Sequence, residues 1–277
     1  MGKAADTNWD SYACVKTNPR WRQQAAAIGR HFTLAIVAEA KLQPGMHVLD
    51  VACGAGEPSI TVAGEFQNFG RVTAIDLAPE PLKFARQRAL ARDLKNIRFL
   101  RADVHQLPFP PASFDRVMCR LGVMFFANVD QALREMHRVL KPEGRTSLLA
   151  FGPIEQPYFQ TTIGTIQRIL PGLSFPESGT AMFKFGEAGS LSAALRQAGF
   201  VQVEERFATL PWTWPGTPAE LWEYFQVNTV TFKPLFEAIP FERREEVNAA
   251  VIDAVGKYYC DGEIRFTATA VLASATP

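Results

Sequence analysis

Three aspartates, two closely spaced glycines and one arginine carry most of the chemistry legible in this chain of 277 residues. Asp50 sits near the end of an apolar run, Met46 to Val51, and is followed by Ala52-Cys53-Gly54-Ala55-Gly56-Glu57-Pro58. Asp76 closes a second run that begins at Arg71, Asp103 follows a third from Asn96 to Arg101, and Arg120 ends a fourth from Phe114. Short apolar runs rich in β-branched residues read as buried parallel strands. The small-residue loop lets a ligand approach the backbone closely. Pro58 suits the first turn of a helix, whose unpaired N–H groups point towards that ligand. Strand, glycine loop and helix start together form a nucleotide-type binding device.

Two ligands compete for it. A dinucleotide site would use G-x-G-x-x-G, and the chain offers Gly54-Ala55-Gly56-Glu57-Pro58-Ser59, without the third glycine. Asp76 lies about the right distance downstream to hold a ribose, so an NAD(P)-dependent oxidoreductase is one reading. Asp50, however, would repel a pyrophosphate and welcome a cationic or zwitterionic ligand. All three acids fall at the carboxyl ends of parallel strands, where open α/β sheets bind ligands. S-adenosyl-L-methionine suits this pattern: ribose hydroxyls for Asp76, an adenine amino group for Asp103, a sulfonium and an ammonium near Asp50, and no phosphate.

The elements that must position these groups follow in order. Trp21 to Ala40 has helical periodicity, and Pro44-Gly45 stops it. After the first strand come a helix from about Pro58 to Phe66, a turn at Asn68-Phe69-Gly70, and a helix from Pro79 to Arg92. The prolines of Gln106 to Ser113 exclude helix and central strand there. Asp130 to Leu140 reads as a helix, Lys141 to Gly144 as a turn and Arg145 to Phe151 as a fifth strand. Beyond it, Phe159 to Leu170, Ser190 to Ala198 and most of Pro211 to Gly262 read as helical. Val201 to Leu210 and Ile264 to Ala273 read as strands, the last antiparallel at the sheet edge. This alternation predicts a parallel sheet with helices on its faces.

The chain resembles the class I S-adenosylmethionine-dependent methyltransferases, in the branch of ubiquinone and menaquinone C-methyltransferases and their small-molecule relatives. The residues that carry the likeness are Val48 to Pro58, Ala74-Ile75-Asp76-Leu77, Ala102-Asp103-Val104, Phe114-Asp115, Cys119-Arg120 and Arg138 to Gly144. The resemblance implies a Rossmann-like, mostly parallel sheet of seven strands, helices on both faces, the last strand antiparallel, and a helical, aromatic substrate cover. Residues 1–45 would then be lid helices, 46–151 the cofactor-binding core, and 152–277 the cover and final strands of the same domain. It also implies that Ala52, Cys53, Gly54 and Gly56 lie along the methionyl and ribose parts. Asp76 and Leu77, then Asp103 and Val104, would follow the ribose and adenine, and Arg120 would face the methionyl group or the substrate. Trp21 resembles a lid aromatic of these enzymes. Ala52 stands where the family usually has glycine.

Between Phe151 and Phe241 lie eleven of the chain's 21 phenylalanines and three of its five tryptophans. Such a cover predicts a small apolar or aromatic acceptor, methylated on carbon, oxygen or nitrogen. Tyr158, Trp212 and Tyr224 are candidate acceptor contacts, though large aromatics are more often plain core. His31 is the one histidine considered as a base; His47 is expected at the surface, His105 either lines the adenine side or, the favoured reading, faces solvent, and His137 is structural. The four cysteines lack CxxC spacing, and no metal-ligand cluster is evident. With 29 Lys plus Arg against 28 Asp plus Glu and no basic stripe, neither nucleic acid nor membrane is an expected partner. A polar N-terminus and scattered thiols fit a cytoplasmic protein, as a monomer or homo-oligomer. A catalytically silent S-adenosylmethionine-binding protein is the second rival.

Overall fold

The computed structural model describes residues 21–65 and 70–277. The turn at Asn68-Phe69, the helix end at Phe66, the polar N-terminus and Cys14 lie outside the described residues.

Helix α1 (Arg22–Glu39) precedes strand β1 (His47–Val51), α2 (Ser59–Glu65), β2 (Arg71–Asp76), α3 (Pro79–Leu90), β3 (Ile97–Arg101) and β4 (Phe114–Arg120). Helix α4 (Val129–Val139) leads into β5 (Leu140–Phe151). The ladder from β4 to β5 shifts register between Phe114 and Arg116, and Pro142 to Gly144 lie in that irregularity. The last part of the chain adds α5 (Pro157–Thr161), α6 (Ile163–Ile169), α7 (Glu177–Ala181), α8 (Ser190–Gln197), β6 (Val201–Pro215) and α9 (Pro218–Asn228). Helices α10 (Lys233–Glu237) and α11 (Arg244–Gly256) precede β7 (Tyr259–Cys260) and β8 (Glu263–Thr276).

The strand order is β3-β2-β1-β4-β5-β8-β6, with β7 paired to β8. Strands β1 to β5 are mutually parallel, and β8 is antiparallel to both of its long neighbours. Chain order reverses direction across the sheet between β1 and β4, so the crevice at their carboxyl ends is the expected ligand position. Helix α1 covers one face with Phe32, Ile36 and Ala40 buried. Its C-terminal end is moored by Glu39, which accepts from Ser274 Oγ at 2.7 Å, Arg145 at 3.3 Å and Arg206 at 3.2 Å.

Three expectations are corrected. Strand β8 is interior, and β6 forms the edge. Ala268 and residues 270–275 of β8 are buried almost without a break, the mark of a strand covered on both faces, whereas residues 201–211 of β6 are exposed or half-buried. Pro211 is tolerated there because an edge strand has N–H groups with no neighbour to serve. Next, Pro211 to Pro215 prolongs β6 instead of starting a helical region, so Trp212 and Trp214 are strand residues. Finally, β7 adds a short strand that makes the sheet eight-stranded.

The length of β6 and β8 shapes the molecule. Pairing of β5 stops at Phe151 against Ala270, but β6 and β8 stay paired out to Pro215 and Glu263. This antiparallel pair thus projects roughly 20 Å past the carboxyl edge of β5, at about 3.4 Å per residue. Aromatic residues of this extension, of α5, α9 and α10, together with Val247, Val251 and Val255 of α11, form a second core above the sheet.

Candidate functional site

Strand β1 delivers Asp50 to the crevice fully buried, at 1% exposure. Its Oδ2 accepts from the Ser59 backbone N–H at 3.2 Å and from the Ser59 hydroxyl, at the start of α2. Its Oδ1 is buried without a hydrogen-bond partner among the described residues. Burial pushes the Asp50 carboxyl up to about 7, against the pull of the Ser59 bonds and of the Arg120 charge. A buried carboxylate oxygen left unpaired costs free energy until a donor reaches it.

The glycine loop is fastened from three sides. Gly54 N–H donates to Asp76 Oδ2 at 2.8 Å, and Ala78 N–H to Asp76 Oδ1 at 2.9 Å. Arg88 of α3 donates to Ala55 O at 2.6 Å and to Glu57 Oε1 at 2.8 Å. Arg120 reaches Glu57 O at 3.3 Å and Gly29 O at 3.2 Å, joining the loop to α1. Ala52 is left-handed, with φ +57°, a conformation that glycine adopts more cheaply. Its methyl fits because Gly122 lies opposite; a Cβ on Gly122 would stand 2.7 Å from that of Ala52. Cys53 is buried and burial raises its thiol well above the ordinary value, as it does that of Cys119 at the end of β4. Neither is a thiolate nucleophile at neutral pH.

On the far side of β2, Leu77 is 56% exposed directly after Asp76, while Val104 is buried. Asp103 is exposed in the loop after β3. Burial works to raise its carboxyl, but the backbone N–H and ring of His105 hold it below the usual carboxylate range. His105 is therefore not a solvent-facing residue, as its loop position had implied: its side chain is 20% exposed and its ring is bonded on both nitrogens. His47 is likewise half-buried, bonded to Thr73 and packed on Phe114. Glu135 and Arg138 of α4 bond the backbone of Leu107 and Phe109, which explains how the proline-rich segment keeps its shape.

The proposed acceptor contacts lie in the second core. Tyr158 stacks on Trp212 at 4.2 Å between ring centres, and Tyr224 packs against Trp214 at 4.8 Å. Trp21, at the start of α1, is buried against Trp214 and Tyr224, within this aromatic cover. His31 is not brought to the others. It follows Gly29 by two residues and so lies roughly 160° around α1 from the turn that meets Arg120, nearer the side where Leu34 is exposed. A shallow apolar depression lined by Leu42, Met46, Val48, Val62 and Val72 lies at the amino ends of the strands, opposite the acids.

Sequence reasoning missed Ser59, Arg88 and Gly122. Arg88 and Gly122 act across the fold and carry no local signature, whereas Ser59 at a helix start could have been read as a partner for the strand-end acid.

Among the described residues no three His, Cys, Asp or Glu side chains converge as metal ligands would, and no helix is long and apolar enough to cross a membrane. An unpaired buried carboxylate oxygen beside the glycine loop fits a ligand with a positive charge and no phosphate there, as S-adenosylmethionine has.

Comparison with known proteins agrees. Residues 49–148 match the family described as a methyltransferase domain. A demethylmenaquinone methyltransferase of Deinococcus radiodurans is 35% identical over 65% of this chain and 78% of its own length. One from Listeria monocytogenes is 34% identical over half of this chain and 54% of its own length. The fold of the YcgJ protein from Bacillus subtilis superposes with a TM-score of 0.58 at 20% identity, covering 89% of this chain and 98% of that one. The chain belongs to the S-adenosylmethionine-dependent methyltransferases.

Proposed function

We propose that this enzyme methylates an apolar aromatic acceptor of the quinol or phenol type, on carbon or oxygen. The observation that carries the reading is the aromatic cover: the projecting antiparallel pair β6 and β8 and the helices packed on it place Tyr158, Trp212 and Tyr224 in an apolar cluster beyond the carboxyl edge of the sheet. An apolar wall of this kind favours a flat apolar ligand and disfavours a sugar or peptide. The demethylmenaquinone methyltransferases among the relatives support the same class.

In this reading Asp50 meets the positively charged methionyl end of the cofactor, Asp76 the ribose, and Asp103 the edge of the adenine, with Leu77 and Val104 along the ring. Ala52, Cys53, Gly54 and Gly56 give the backbone close approach, and Arg120 holds that loop under α1. The cofactor supplies an activated methyl group on sulfur. The chain's residues orient the two partners and exclude water, and orientation alone is worth several kcal/mol of the barrier. The reading includes a cytoplasmic location and a small-molecule partner, in keeping with a net charge of +1.

The test is transfer of labelled methyl from S-adenosylmethionine to a panel of short-chain demethylmenaquinol, simple phenols and amines. Label in a quinol or phenol is expected. Label only in amines would overturn the acceptor class, and cofactor binding with no transfer at all would favour the catalytically silent alternative.

A further inference from the structure

His105 joins the loop after β3 to the first turn of α4 through both ring nitrogens. The backbone N–H of Asn128 points at Nε2 at 3.2 Å, and an N–H can only donate, so Nε2 is the unprotonated acceptor. The ring proton therefore sits on Nδ1, which donates to Asp103 Oδ1 at 2.6 Å. The His105 backbone N–H donates to the same oxygen at 2.9 Å. The other side of the residue is held too: Gln131 Nε2 donates to His105 O at 2.9 Å, and the ring packs edge-on against Phe126. Asn128 is itself fixed as the N-cap of α4, its Oδ1 accepting from Gln131 N–H.

This arrangement uses up Oδ1 of Asp103 and leaves Oδ2 without a hydrogen bond among the described residues, on a side chain that is half exposed. An unbraced aspartate at that exposure would rotate freely about χ1 and χ2, and each ligand would pay to order it. We propose that His105, fixed as its Nδ1–H tautomer by the first turn of α4, is a positioning residue that orients Asp103 so that Oδ2 presents to the 6-amino group of adenine. The proposal rests on the assignment of Asp103 to the adenine edge made above. It accounts for why the ring is tied to a rigid helix: the preference for adenine is set by an element outside the glycine loop.

The test measures binding, without turnover. S-adenosylhomocysteine and its inosine analogue, which carries a carbonyl in place of the 6-amino group, are titrated calorimetrically into wild type, His105→Phe and His105→Asn. Wild type is expected to prefer the amino compound. His105→Phe keeps a ring against Phe126 but donates nothing; it should bind the amino compound roughly tenfold more weakly, a loss typical of one charge-assisted hydrogen bond, and the analogue as before. His105→Asn places an amide N–H near the position of Nδ1 and should stay within about twofold of wild type. Equal weakening of both compounds in His105→Phe, no weakening of either, or a tenfold loss in His105→Asn overturns the proposal. If His105→Phe does not fold, His105→Asn decides alone. If wild type itself fails to discriminate the two compounds, it is the assignment of Asp103 that falls.

Discussion

Replacing Asp50 by asparagine should make the folded chain more stable at neutral pH while weakening its hold on the cofactor. In the unfolded chain this carboxyl ionises near 3.8, whereas in the fold burial holds its proton up to about 7. Between those values the native chain binds more protons than the unfolded one, so stability falls as pH rises. The contribution is fully present below 3.8 and lost as pH rises through about 7. At about 1.36 kcal/mol per pH unit the loss approaches an upper bound of about 4 kcal/mol. Asparagine keeps an oxygen for Ser59 and has nothing to ionise. The stability of Asp50→Asn relative to wild type should therefore grow by about 2–3 kcal/mol between roughly pH 5 and pH 8. For a chain of this size that is roughly 5–10 °C in melting temperature. Thermal melts of the two proteins across this range measure it. Calorimetric titration with S-adenosylmethionine should show the opposite cost, at least tenfold weaker binding in the variant, and a wild-type affinity that rises through pH 7 as Asp50 ionises. A difference in melting temperature that does not change with pH would refute the reasoning, because it would mean that Asp50 carries no burial penalty.

Arg120→Met removes the donors to Gly29 O and Glu57 O, both long bonds, so about 1–2 kcal/mol each is expected in the melt; an unchanged cofactor affinity by calorimetry would count against Arg120 as the clasp between α1 and the loop. Gly56→Ala should cost about 2–4 kcal/mol in urea unfolding, since φ is +99° and the new Cβ would meet Ile60 Cδ1 at 2.6 Å. Gly54→Ala, with φ +52° and nothing within 4 Å, should cost only about 1 kcal/mol. Glu39 is held below the ordinary carboxylate range: burial works to raise it, but its bonds to Ser274 and Arg145 and the charge of Arg206 outweigh that. A lowered folded value gives stability that is full above the unfolded value near 4.5 and is lost as pH falls below that and through the lower folded value. Glu39→Gln should thus melt lower than wild type at neutral pH, by an amount that shrinks towards pH 3.5.

Much of the site could be read in advance because its parts are local. A β-branched run ending in an acid, small residues and then a helix start put Asp50, Gly54 and Gly56 in one crevice whatever the rest of the chain does. The same logic brought Asp76 and Asp103 to the carboxyl edge, since parallel strands all end on one side. Arg88, Gly122 and the bracing of His105 were invisible for the converse reason. Each meets its partner across a gap of tens of residues, and a charged or small residue on a helix or in a loop looks the same with or without that partner. His105 was misjudged because a polar loop residue is usually solvated, and only the packed N-cap of α4 shows otherwise.

By itself the amino-acid order determined the α/β alternation, the phosphate-free adenosyl character of the ligand and the aromatic nature of the cover, since these follow from periodicity, residue type and spacing. The tertiary structure alone decided that β8 is inserted between β5 and β6, and that the two strands overshoot the sheet to carry Trp212 and Trp214. Strand order and extent depend on which surfaces meet, a free-energy comparison among distant segments that no local pattern contains.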